Sequence, residues 1–168
     1  MSTQELLSIT NDTQSFFYST LEDAVKNKKL FLSQPLLKYL SSILAHYSLS
    51  KNLCQEDSLH SALAKKYKKA LSFKDLQQKI LLKQVAEEIL YTLGFFTPFL
   101  KKKIIGVGFY VNLGTYSYKR LSSVEKSEEK KDIFLYCSEN FLAFLDLFHY
   151  ISKNCLHISA HVNNSKSL

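Results

Sequence analysis

The sequence predicts an all-α protein, a single-domain bundle of about six helices around a central helix at 74–95. Three observations carry that expectation. Apolar residues recur at spacings of three and four along most of the chain, the helical period. All four glycines and one of the two prolines lie within 86–121, so the rest is almost free of helix breakers. Outside 104–111 no stretch reads as a strand, and no internal repeat is present.

At 168 residues and 46% hydrophobic, the chain can bury a sizeable core as one domain. Its 13% aromatic content argues against disorder. The start, MSTQELLSIT, lacks the basic and apolar regions of a signal peptide. The apolar run 104–114 is far short of the ~20 residues a membrane span requires. A soluble, cytoplasmic protein is the expectation. Three widely spaced cysteines, Cys54, Cys137 and Cys155, make no disulfide framework and read as reduced thiols.

The formal charge is +7. Lysine carries nearly all of it, since Arg120 is the one arginine. Arginine supplies the planar fork that reads guanine edges, whereas lysine is a point charge on a flexible stem. Specific base readout is therefore not expected, although a polyanion could be attracted nonspecifically.

Residues 13–27 predict the first helix, with Phe17, Leu21, Ala24 and Val25 on one side, after a short flexible N-terminus at 1–12. Lys26, Lys28 and Lys29 sit at its C-terminal end, where cations suit the helix dipole. Ser33 reads as the N-cap of the second helix, with Pro35 in its first turn. Leu36, Leu40, Ile43, Leu44 and Tyr47 form that helix's apolar stripe. Asp57 reads as the cap of a third helix reaching Ala70, buried through Leu59, Leu63, Ala70 and part of Tyr67. Lys65, Lys68 and Lys69 project from its other side, and Lys66 flanks the stripe.

The central helix is apolar on two sides. At 100° per residue, Leu82, Val85, Ala86, Ile89 and Leu93 share one sector, and Leu76, Ile80, Leu90 and Tyr91 the opposite one. Such a helix is expected to pack on both sides. Gly94 reads as its end, with Phe95, Phe96 and Phe99 plugging a turn around Pro98. The β-branched content of 104–111 would suit a strand, but Val107, Tyr110, Val111, Gly114, Tyr118 and Leu121 fall on one stripe and favour a helix from about Val107. The mixed charges of 125–132 mark a loop or helix start. A last helix at 131–153 carries an a/d seam of Phe134, Cys137, Phe141, Phe144, Phe148 and Ile151, with Glu139, Asp146 and Lys153 outside. The tail at 156–168 reads as frayed.

Among charged residues, Glu87 falls inside the minor apolar sector of the central helix. It is either a buried acid with a raised pKa or the partner of Lys83 or of a tyrosine hydroxyl. Glu88, on the polar sector with Gln77 and Gln84, reads as solvated. Glu87, Tyr91, Tyr110, Gly114, Tyr118 and His149 make up the possible pocket or functional cluster. Lys65, Lys68 and Lys69 are the possible polyanion contact. His149, beside the Phe seam, could be a haem ligand or a satisfied boundary histidine. No Glu-x-x-His pair suggests a di-iron bundle, and Cys155, His157 and His161 do not close a zinc site. Gly106-Val-Gly108 lacks the further glycine and preceding strand of a dinucleotide loop, and no serine nucleophile elbow is present. No cofactor and no metal site are predicted.

The stretch Glu87, Leu90-Tyr91, Gly94-Phe95-Phe96, then Tyr110-Val111, Gly114 and Tyr118, resembles a family of uncharacterised bacterial all-helical proteins. That family carries L-[FY]-x-x-G-F-F followed by Y-[VI]-x-x-G-x-x-x-Y. Ala86-Glu87 stands where the family has Gly-Asp. The resemblance implies a helical fold and transfers no mechanism. With no acid–base–nucleophile set, the expectation leans away from an enzyme, towards a helical binding or regulatory protein whose partner is another protein. An apolar ligand or haem held between the Phe seam and the Tyr110–Tyr118 helix is the alternative, and nonspecific nucleic-acid binding through lysines a third.

Overall fold

A computed structural model describes residues 2–49, 59–100 and 107–155. Those residues form seven helices and no strand: α1 (Thr3–Asn27), α2 (Gln34–Tyr47), α3 (Leu59–Ser72), α4 (Asp75–Leu100), α5 (Val107–Val124), α6 (Glu128–Glu139) and α7 (Phe141–Asn154). The all-α bundle expected from periodicity is the architecture found. Helix α4 lies at its centre, packed against α2, α3, α5 and α7, while α1 lies on α2 and touches α7. No helix among the described residues is long and apolar enough to cross a membrane.

Local chemistry sets most of the boundaries. Helix α1 begins at Thr3, so residues 3–12 of the segment expected to be a flexible lead belong to it. It ends in a Schellman turn: Lys29 N–H reaches Lys26 O, Leu30 N–H reaches Val25 O, and Lys29 takes φ 55°. That left-handed position usually holds glycine. Ser33 caps α2 as its sequence implies, its Oγ accepting from the Leu36 amide. Ser127 caps α6 in the same way through the Lys130 amide. Asp57, the expected cap of α3, lies outside the described residues, as do Cys54 and the 156–168 tail.

Two boundaries differ from the sequence reading. Gly94 does not end the central helix, which runs on through Pro98 to Leu100. Glycine is there for packing, because a Cβ at Gly94 would stand 2.5 Å from Phe148 Cβ. Phe95 stacks on Tyr91 one turn earlier, with ring centroids 4.7 Å apart. The long last helix is in fact two, broken at Asn140 (φ −115°, ψ 24°). Asn140 Nδ2 donates back to Tyr136 O, the local side-chain bond by which asparagine competes with a helix. The seam survives the break: Phe134, Cys137, Phe141, Phe144, Phe148 and Ile151 are all buried. The bend lets α6 lie mainly on α5 while α7 lies on α4.

The two-sided packing expected of α4 is found at Leu90 and Tyr91 but not at its N-terminal end. Leu90 and Tyr91 are buried, but Leu76 and Ile80 are 65% and 45% exposed. Glu88 is not solvated. It is 2% exposed and pairs with Lys66 Nζ at 3.4 Å, because α3 packs over that side of α4.

Candidate functional site

The N-terminal half of α4 forms one wall of a cleft completed by α2 and by the α5–α6 turn and α6. Its volume is about 480 Å³. Tyr39, Leu121, Ile133 and Phe134 line it within, and Leu76 and Ile80 stand at its edge. Lys38, Lys79, Lys83 and Lys130 also line it, opposed by Glu125 and Glu129. A helix with a free apolar strip beside a row of cations thus faces a concave surface, where the sequence reading expected a fully covered helix.

Beneath the cleft runs a chain of hydrogen bonds. The Tyr39 hydroxyl donates to Glu87 Oε1 at 2.9 Å and lies 3.0 Å from the Tyr118 hydroxyl. A phenol has one proton to give, and Tyr39 gives it to the carboxylate. Tyr118 therefore donates to Tyr39, and the order is Tyr118 to Tyr39 to Glu87. Lys83 Nζ, one helical turn before Glu87, lies 3.7 Å from the same Oε1 and 5.9 Å from the Tyr39 ring centroid. The Tyr39 ring meets Tyr118 and Phe134 edge-on, with centroids 6.4 and 5.7 Å away. Aromatic contacts on the flanks and one polar bond at the tip fix where this side chain points.

Electrostatics follows from that burial. Desolvation pushes the Glu87 carboxyl above its ordinary 4.5, against the pull of Lys83 and the Tyr39 bond. Burial, with the Glu87 charge beside it, drives Tyr39 well above the usual phenol value. Burial does the same to Tyr118, with Cys137 and Glu87 adding to it. Burial raises the Cys137 thiol too, which keeps it protonated and unreactive. Both alternatives for Glu87 therefore meet in one place: it is a largely buried acid that has a lysine and a tyrosine as partners. Glu125 goes the other way. Burial would raise it, but the amides of Ser127 and Lys126 and the Lys79 ammonium outweigh that and hold it low.

The structure brings together Glu87 and Tyr118 from the predicted cluster, joined by Tyr39, which the apolar pattern of α2 did not single out. Tyr39 sits one turn from Leu36 and Ile43, at the edge of the stripe, where a phenol can bury its ring and keep its tip polar. The other members lie elsewhere in the bundle. Tyr91 lies between Phe95 and Tyr47, and burial raises its pKa to about 12. Tyr110 is buried beside Phe109. A Cβ on Gly114 would stand 2.5 Å from Phe141 Cζ, so the Phe141 ring fills the groove that the missing side chain leaves. His149 Nδ1 lies 3.3 Å from Gly94 O, far along α4 from Glu87. Lys65, Lys68 and Lys69 are exposed on α3, away from the cleft lining. No group of three or more potential metal ligands occurs among the described residues.

Compared with protein-family models, curated proteins and solved structures, the chain finds no match in any of the three.

Proposed function

We propose that this protein works by binding another protein through the cleft between α2, α4 and α6. One observation carries the reading: Leu76 and Ile80, large apolar side chains one turn apart, are left 65% and 45% exposed at the edge of a lysine-lined concavity. Apolar area in a concave, polar-rimmed patch is the usual mark of an interaction surface.

The titratable groups beneath the cleft act as a brace. Both phenols of the Tyr118–Tyr39–Glu87 chain hold their protons far above neutral pH, and the carboxylate is committed to Tyr39 and Lys83. A chain anchored in α2, α4 and α5 holds the cleft floor in one shape, which favours binding by limiting what must be ordered on association. Native mass spectrometry of protein purified from its source, with an absorption spectrum, tests this against an internal ligand. The expected result is the bare chain or a complex with a polypeptide, without a chromophore. A stoichiometric haem or lipid would overturn the reading.

A further inference from the structure

We propose, on the footing that this cleft is the working surface, that its occupant is an acidic amphipathic α-helix of the partner protein. The pattern on α4 points there. Leu76 and Ile80 are four apart and form an apolar row along the helix. Lys79 and Lys83, also four apart, form a basic row beside it. Together they extend about 10 Å at 1.5 Å per residue, two turns of a facing helix. An occupant that presents apolar groups one turn apart, flanked by carboxylates, meets both rows at once.

Charge favours the acid. Four lysines line the cleft against two glutamates. Glu125 is already engaged by Lys79 at 3.5 Å and by the amides of Lys126 and Ser127. Lys83 shares Glu87 from the side and is half exposed. Lys38 on α2 and Lys130 on α6 make no ion pair among the described residues. The cleft thus offers two ammonium groups outside any ion pair among the described residues, beside two that are already shared with Glu125 and Glu87.

Backbone chemistry favours the helix. An extended peptide must find partners for its own N–H and C=O groups, and it usually finds them on a sheet edge. The walls here are helices and one turn, with no sheet edge among the described residues, so an occupant that arrives with its own backbone bonds already made is favoured. Nucleic acid would use the lysines but leave Leu76 and Ile80 uncovered. A fatty acid would cover them but bring one charge to several lysines.

The test uses a lactam-constrained helical peptide with three leucines spaced one turn apart and glutamates flanking them. It is titrated into the intact protein beside a version with glutamine at each glutamate, an unconstrained glutamate homopolymer, duplex DNA and oleate. The expected result is that the glutamate helix binds at least tenfold tighter than the glutamine helix at low salt, and that added salt narrows the gap. Lys38→Glu with Lys130→Glu should erase that advantage, and Ile80→Asp should abolish binding of both helices. Circular dichroism confirms that these surface variants remain folded. Equal binding of the two helices, no helix binding, or displacement of the glutamate helix by DNA or oleate would overturn the proposal. If the peptide fails while a protein still cross-links to Ile80 in cells, the acidic helix is wrong and the cleft stands.

Discussion

Nδ1 of His149 lies 3.3 Å from the carbonyl oxygen of Gly94, the helical acceptor that Pro98, four residues on, has no N–H to reach. The carbonyl can only accept, so Nδ1 carries the proton and the imidazole closes a gap that proline opened in α4. This accounts for a proline inside a continuous helix better than any local propensity does.

The two residues should therefore be energetically coupled. His149→Phe leaves the carbonyl unpaired and should cost about 1–3 kcal/mol. In a Pro98→Ala background the new amide can take the carbonyl, and the same change should cost clearly less. Urea unfolding of the four proteins measures the coupling. Equal costs in the two backgrounds would mean that His149 is not the replacement donor.

Gly94 and Gly114 both meet a phenylalanine 2.5 Å from where a Cβ would stand, but at different atoms. At Gly114 the neighbour is Phe141 Cζ, the far end of a ring, whereas at Gly94 it is Phe148 Cβ, held against its own backbone. Gly94→Ala should lower the melting temperature more than Gly114→Ala, although alanine is the better helix former by about 1 kcal/mol at either position. Gly114→Leu overpacks the seam and should cost about 1–3 kcal/mol.

Glu87 and Glu125 should leave opposite marks on stability against pH. Burial raises the native value of Glu87 above 4.5, so its contribution is fully present below that pH and is lost as pH rises through the raised value. Glu125 is lowered from 4.5, so its contribution is present above that pH and is lost as pH falls through the lowered value. Denaturant unfolding across the acid range, with each variant subtracted from the wild type, reads the two signs. The wild-type advantage over Glu87→Gln should shrink with rising pH, and the advantage over Glu125→Gln should grow.

Lys29 occupies a left-handed turn position at φ 55°. An L side chain there costs about 1–2 kcal/mol that glycine avoids. Against this, glycine adds entropy to the unfolded chain, so Lys29→Gly should stabilise by about 0.5–1 kcal/mol. A lower melting temperature would show that the lysine side chain contributes something the backbone bonds do not reveal.

The helical architecture was legible because burial in this bundle follows a local period. Phe17, Leu21 and Ala24 are buried as their spacing implies, and so are Leu36, Leu40 and Ile43. The seam from Phe134 to Ile151 was legible even though one asparagine breaks the helix that carries it. What failed were several features decided by a distant element. Gly94 and Pro98 look like a helix end until Phe148 and His149 supply packing and a donor from α7. Glu88 looks solvated until α3 brings Lys66 over it. Leu76 and Ile80 look buried because hydropathy cannot tell that no helix among the described residues covers them. At the site, Glu87 and Tyr118 were visible as separate oddities, but the residue joining them comes from α2. Nothing local about Tyr39 says that it will reach two other helices.

The most direct measurement places a photo-reactive amino acid at Ile80, at Lys68 on the α3 lysine face, and at Leu142 on the exposed side of α7, each in the full chain in its own cells. After irradiation, the Ile80 position should yield a discrete protein adduct that weakens when Lys38 and Lys130 are both changed to glutamate, and the other two positions should yield none. Adducts from Lys68 or Leu142 with none from Ile80 would place the working surface elsewhere and contradict the account.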